Sequence, residues 1–132
     1  MTDLLTMIRT VDPNDKAACG LINNLFYYFL EKGRPKRYGA TTQGLPTLPE
    51  YTHSLDALKA VQEEHLQGWV FNKIYALGNM FVCSYKKHET INKLSMYKTL
   101  LSEPLPTMNI AWMDAIYQAI ERKQNDENIS RT

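Results

Sequence analysis

The histidine and cysteine side chains of this chain could bind a metal ion. Structural zinc sites take closely spaced pairs of ligands, whereas no CxxC or HxxxH spacing occurs here. We therefore predict no metal ion and no cofactor, and we expect surface histidines and free thiols typical of a reducing compartment. The residues concerned are Cys19, His53, His65, Cys83 and His88.

Residues 53–56 contain a histidine, a serine and an aspartate, the residue types of a catalytic triad. Triads are defined by geometry, and neighbours in sequence rarely face each other. Ser54 and Thr52 are instead good helix N-caps, and Asp56 in the first turn complements the helix dipole. The adjacent Glu63 and Glu64 diverge by about 100° around a helix, which favours solvated charge over a carboxylate pair. We therefore assign no catalytic residue and predict that the protein is not an enzyme.

A basic segment at residues 32–38 is the most distinctive polar feature. It could neutralise phosphates or pair with an acidic partner surface. It could equally be a solubilising loop whose charges are screened by salt. It lacks the preceding strand and the Gly-Lys-Ser/Thr ending of a phosphate-binding loop. The later run Lys86-Lys87-His88 could extend the patch or only charge the end of a strand. The basic segment contains Lys32, Arg34, Lys36, Arg37 and Tyr38.

An aromatic run precedes the basic segment and presents apolar surface around a whole helix. The core accounts for Phe26 and Phe29, which leaves Tyr27 and Tyr28 facing outward or sideways. Tyrosine is favoured at interfaces because it buries area and keeps a polar handle. We predict a partner or homodimer contact here; the alternative is packing beneath the following loop. The predicted binding residues are Tyr27, Tyr28, Arg34, Lys36, Arg37 and Tyr38.

Hydrophobic periodicity predicts the elements that position these residues. A short helix comes first, and a second begins with Asp12 as N-cap and Pro13 at its first position and stops at Gly33. After a loop to residue 49, a third helix closes at Gly68. Period-two patterns predict strands at 69–77, 80–85 and 94–101, with a polar connection at 86–92. Thr107 caps a last helix, and we expect Trp112, Ile116 and Ile120 to be buried against the sheet.

These elements predict an α+β fold, in which a three-stranded antiparallel sheet is layered with helices in an α/β/α sandwich-like arrangement. The 132 residues, 44% hydrophobic and 22% charged, suit a single domain at 1–123 with a frayed polar tail at 124–132. A formal net charge of +1 gives no global attraction to nucleic acid. No run approaches the ~20 apolar residues of a membrane span, and the N-terminus is unlike a signal peptide, so we expect a cytoplasmic protein.

Three short segments resemble the phage ABA sandwich domain family, small proteins of bacteriophage and prophage genomes. Residues 3–15 are similar to its opening helix and polar Pro/Asp turn. The Y-T-H-S-L-D-A sequence at 51–57, with Gly68-Trp69 after it, resembles its tyrosine-led entry to a helix. Pro106-Thr107, leading to Ala111, Ala115 and Ala119, resembles its closing Ala-rich helix. The resemblance implies an α/β/α layered fold and a phage origin, and implies no activity.

The resemblance and the residues together lead to two expectations about function. The first is a non-enzymatic phage-derived accessory protein that binds a host protein in the host cytoplasm, such as an anti-CRISPR-like anti-defence inhibitor, or that contacts a second copy of itself. The alternative is a nucleic-acid- or nucleotide-binding module that uses the basic segment. A small hydrolase or transferase ranks third.

Overall fold

Four helices and three strands make up the described part of the chain. The computed structural model describes residues 3–31, 49–66 and 68–130, and for Ile91 and residues 124–130 the backbone alone. The elements are α1 Leu4–Thr10, α2 Lys16–Leu30, α3 Leu55–His65, β1 Trp69–Leu77, β2 Met80–Ile91, β3 Leu94–Leu101 and α4 Met108–Ser130. The α+β class is confirmed.

Side-chain caps fix where the helices begin. The Ser54 side chain accepts a hydrogen bond from Ala57 N at 3.1 Å, so the predicted cap of α3 is confirmed. The predicted start of α2 is wrong, because its N-cap is Asp15 and not Asp12. Asp12 instead closes a turn, in which its carboxylate accepts from Asn14 N at 2.9 Å and its carbonyl from Asp15 N. A cap stabilises a helix by accepting hydrogen bonds from its first N–H groups, and here the turn already occupies the acceptor oxygens of Asp12.

The sheet is an antiparallel meander in the order β1-β2-β3. β1 and β3 coincide with their predicted ranges. β2 does not end at Tyr85, so the predicted polar connection at 86–92 is wrong. Pairing with β3 runs without a break from Ser84 opposite Leu101 to Ile91 opposite Leu94. The hairpin then turns at Asn92 and Lys93, whose φ angles of 52° and 67° suit a tight two-residue turn.

The core lies between the sheet and the helices. Within the described residues, α4 packs against the sheet, mainly against β2, and α1 and α3 pack against α4. Ile116 and Ile120 are buried as predicted, whereas Trp112 is half-buried and packs at the edge of the core. The backbone of α4 continues to Ser130, where the sequence predicts a frayed tail. No described helix combines the length and the apolar character needed to cross a bilayer.

Candidate binding surface

The buried carboxylate of Asp114 holds three parts of the fold together. Asp114 is 0% exposed. It accepts hydrogen bonds from Arg9 Nε at 2.9 Å, from Gln118 Nε2 at 2.6 Å and from the backbone N of Glu103 at 3.1 Å. The hydrogen bond with Asp114 raises the pKa of the Arg9 guanidinium above its ordinary value. With these partners Asp114 serves as a structural anion between α1, α4 and the chain after β3.

A second polar group inside the molecule is a chain of three side chains. The Trp112 indole N–H donates to the Tyr85 hydroxyl at 2.6 Å, and that hydroxyl donates to Gln62 Oε1 at 2.6 Å. Burial raises the pKa of Tyr85 far above its ordinary value. Burial also raises the pKa of the neighbouring Cys83 thiol to about 12. Both groups therefore stay protonated at neutral pH, and Cys83 is not poised as a nucleophile.

A groove of about 460 Å³ contains the histidine of the triad-like segment. His53 Nε2 lies 3.0 Å from the carbonyl of Pro13, and a carbonyl only accepts, so this nitrogen carries a hydrogen. The other ring nitrogen is 2.9 Å from the Thr52 hydroxyl. The Cys19 thiol points at the carbonyls of Asp12 and Pro13, both at 3.7 Å, where a thiolate would meet negative charge. Neither side chain is arranged for nucleophilic catalysis. The groove is lined by Pro13, Asn14, Lys16, Cys19, Gly20, Asn23, Glu50 and His53.

The fold brings together two glutamates and a histidine that no sequence spacing connects. One ligand atom each of Glu31, Glu64 and His65 lies within 4.8 Å of the others, where the C-termini of α2 and α3 meet. Sequence spacing does not indicate this cluster, because Glu31 is far from Glu64 and His65 in the chain. The Lys123 ammonium, 3.3 Å from the His65 carbonyl, supplies a positive charge beside it. An acidic cluster that is partly balanced by a cation does not by itself define a metal site.

The exposed side of α2 is the candidate binding surface. Leu21, Leu25 and Tyr28 are 51%, 36% and 48% exposed. Their spacing of four and three residues places them on one side of the helix. We call these three residues the α2 stripe. The opposite side of α2 belongs to the core through Ile22 and Phe26, so α2 is apolar on two sides and only one is covered.

The structure separates the two tyrosines of the predicted site. Tyr27 is 1% exposed and belongs to the core cluster, so the expectation that it faces outward is wrong. The reason is helical geometry: Tyr27 lies about 100° from Tyr28 and on the covered side of α2. Tyr28 is exposed as expected. The other predicted binding residues, Arg34, Lys36, Arg37 and Tyr38, lie outside the described residues.

Two members of the α2 stripe were missed by sequence reasoning. Leu21 and Leu25 carry the same periodicity as Ile22 and Phe26, and periodicity alone does not show which side of an all-apolar helix is covered. The sequence feature that indicates an exposed apolar side is the excess of apolar residues in α2. A helix that is apolar on more than one side has more surface to bury than one neighbour can cover.

Comparison with protein-family models, with curated proteins and with solved structures finds no match to this chain. The resemblance to the phage ABA sandwich domain family therefore stays a prediction, and function is argued from the surfaces themselves.

Proposed function

We propose that this protein is a non-enzymatic binding protein that docks a partner protein on the exposed side of α2. The observation that supports this most is the α2 stripe, three large apolar side chains exposed on one side of a helix whose other side is in the core. Contiguous exposed apolar residues on a soluble domain are typical of interaction sites. Helices also commonly bind a partner through apolar side chains at positions i, i+4 and i+7.

The end of α2 adds a second element to this surface. Tyr28 lies in the last turns of the helix, and the basic segment begins two residues after α2 ends at Leu30. An apolar anchor beside a cationic rim suits an interface, because the aromatic residue buries area while the charges orient the partner and speed encounter. We therefore include Arg34, Lys36, Arg37 and Tyr38 in the proposal as the rim.

The non-enzymatic part of the proposal is supported by the contacts of the potentially reactive side chains. Asp114 holds a guanidinium, Tyr85 and Cys83 are kept protonated by burial, and both nitrogens of His53 are engaged. Each is a structural role that would conflict with acid–base or nucleophilic work.

We propose further that the partner is a host protein and that the chain is a phage-derived accessory protein with an anti-defence role in the host cytoplasm. This part is supported by the resemblance of three short segments to a phage family, and by analogy with small phage proteins that act by occupying a surface. A second copy of the chain is the other occupant to be distinguished.

The proposal is tested by capture from host lysate with matched variants. The double variant Leu21→Ser/Leu25→Ser removes most of the stripe, and Leu94→Ser is the control, because Leu94 is also an exposed leucine but lies at the hairpin between β2 and β3. We expect one partner to be captured by the wild type and the control and lost from the double variant. Equal capture by all three would refute the proposal. Sedimentation of the purified protein decides between a host protein and a second copy.

The rim is tested by charge reversal. Arg34→Glu/Arg37→Glu should weaken binding of the captured partner without changing the melting temperature, since the proposal assigns both charges to the interface and none to the core. Unchanged affinity at low salt would remove the basic segment from the interface.

A further inference from the structure

The face of the sheet that points away from α4 combines cations and aromatic rings. Register places Lys73 and Tyr75 of β1, Lys86 and His88 of β2, and Tyr97 of β3 on this side, because side chains alternate along a strand and the opposite positions face α4. Tyr97 is 69% exposed. We call these five residues the cationic sheet face. It is separate from the α2 stripe, and nothing in the proposed function uses it.

Each tyrosine of this face has a cation beside its ring. Lys73 Nζ lies 5.2 Å from the centroid of Tyr75, and Lys86 Nζ lies 6.0 Å from that of Tyr97. The His88 ring lies 5.3 Å from the Tyr97 ring at an interplanar angle of 63°. Each lysine lies over one face of its ring, so the other face can stack on a base while the charge meets the adjoining phosphate.

The charge on this face has a single sign. Within the three described strands, the positions that point away from α4 carry no carboxylate. Glu89 lies on the other side of β2, where it pairs with Lys98 at 3.6 Å and Lys87 at 3.9 Å. The near-zero net charge of the chain therefore conceals a local positive surface, and a polyanion complements it.

The residues form a path across the sheet. Tyr97 lies opposite His88, Lys73 opposite Ser84 and Tyr75 opposite Val82. From residue 88 to residue 82 the path covers about 20 Å along β2, and it crosses from β3 to β1, about 10 Å, at the usual strand dimensions. An extended strand of several nucleotides has the length to follow this diagonal, with a base at each tyrosine and phosphates near the two lysines.

We propose that the cationic sheet face binds single-stranded nucleic acid by stacking bases on Tyr97 and Tyr75 and neutralising phosphates with Lys86 and Lys73. The exposed ring of Tyr97 and the half-buried ring of Tyr75, with cations beside them, suit unpaired bases, because every base has a stacking face and duplex bases are not accessible. An acidic protein would use the cations but would leave the two rings without a role, so we favour the nucleic acid.

The test is fluorescence anisotropy with labelled oligothymidylate and oligouridylate of about 12 nucleotides, within the usual site sizes for such surfaces. Both sugars are used because stacking and phosphate contacts do not distinguish DNA from RNA. We expect binding in at least one arm. Tyr97→Ala should raise its Kd about fivefold to 150-fold, the range for loss of one stacked base. Tyr97→Phe, which keeps the ring, should bind like the wild type.

A pair of lysine variants separates this face from general charge attraction. Lys86→Gln should reduce the slope of log affinity against log salt by about 0.7, the value for one phosphate contact on a single strand. Lys98→Gln, which removes the same charge on the side of the sheet that faces α4, should leave the slope unchanged. All variants are checked for an unchanged melting temperature.

Three outcomes would overturn the inference. The first is no binding of either oligonucleotide at low salt. The second is binding that is abolished by Arg34→Glu/Arg37→Glu but unaffected by Tyr97→Ala, which would place the ligand on the basic segment. The third is an acidic protein that competes with the oligonucleotide for the wild type, and whose binding is lost in Lys86→Gln but kept in Tyr97→Ala.

Discussion

Removing the carboxylate of Asp114 should destabilise the fold strongly, because this fully buried group accepts hydrogen bonds from three other residues. Four hydrogen bonds end on this side chain, from Arg9 Nε and Nη2, Gln118 Nε2 and the backbone N of Glu103. Asp114 is fully buried, whereas the Arg9 side chain is 30% exposed. In Asp114→Ala the guanidinium can turn toward water, but the hydrogen bonds that tie the Glu103 backbone and Gln118 to this buried position are lost.

The magnitude follows from the rule for broken buried pairs. Removing one partner of a buried, hydrogen-bonded pair costs about 3–5 kcal/mol when the other partner stays buried, and the loss lies at the lower end of this range here because the Arg9 guanidinium can regain water. We expect Asp114→Ala to lie within that range. Lys98→Gln, which breaks the exposed pair with Glu89, should cost ~0–1 kcal/mol. The comparison separates the effect of burial from the effect of charge.

The assay is urea unfolding followed by circular dichroism, with the free energy of unfolding extrapolated to water. Arg9→Met and the double variant Arg9→Met/Asp114→Ala complete a double-mutant cycle, and we expect the double variant to lose less than the sum of the singles, with a coupling of about 0.5–3 kcal/mol. A loss below ~1 kcal/mol for Asp114→Ala, or additive single losses, would refute the view that this pair ties α1 to α4.

Three further predictions concern stability and metals. Trp112→Ala should cost about 3–5 kcal/mol, because it removes packing on Phe71 and a donor to Tyr85; urea unfolding that shows a loss below ~1 kcal/mol would place this side of α4 outside the core. Burial raises the pKa of the Cys83 thiol from 9.0 in the unfolded chain to about 12 in the folded protein. The free energy of unfolding therefore keeps its full value below pH 9 and decreases as the pH rises from 9 to about 12. Alkaline unfolding of Cys83→Ala should show a slope smaller by ~1.4 kcal/mol per pH unit in this window, and an unchanged slope would argue against the shift. EDTA should leave the melting temperature unchanged, because the core packs without the acidic cluster at the ends of α2 and α3; a shift of several degrees in a thermal melt would show that a metal supports the fold.

Sequence patterns predicted the elements well where their boundaries are marked by residues with special backbone requirements. β1 lies between Gly68 and Gly78, which have φ angles of 92° and 65°, and α3 begins at a serine cap. The extension of β2 was not predictable in this way. Residues 86–90 are polar and resemble a connection, and only the pairing with β3 makes them a strand. Local propensity is overridden there by cross-strand hydrogen bonds.

The candidate surfaces depended on information that the sequence does not carry locally. The aromatic run correctly indicated that α2 has more apolar surface than the core needs, but the choice between Tyr27 and Tyr28 depends on how α2 is rotated against its neighbours. The acidic cluster and the cationic sheet face join residues from different elements. Their proximity follows from the fold, and no spacing in the sequence indicates it.

The most direct test of the proposed function compares Tyr28→Ala with the wild type in both affinity for the purified partner and thermal stability. If the partner is a second copy, the affinity is that of the dimer. Tyr28 is half exposed and sits on the α2 stripe, so we predict a Kd raised at least about tenfold, as for an interface anchor, with an unchanged melting temperature. A lowered melting temperature with intact affinity of the folded fraction would show that Tyr28 serves the fold and would contradict the proposal.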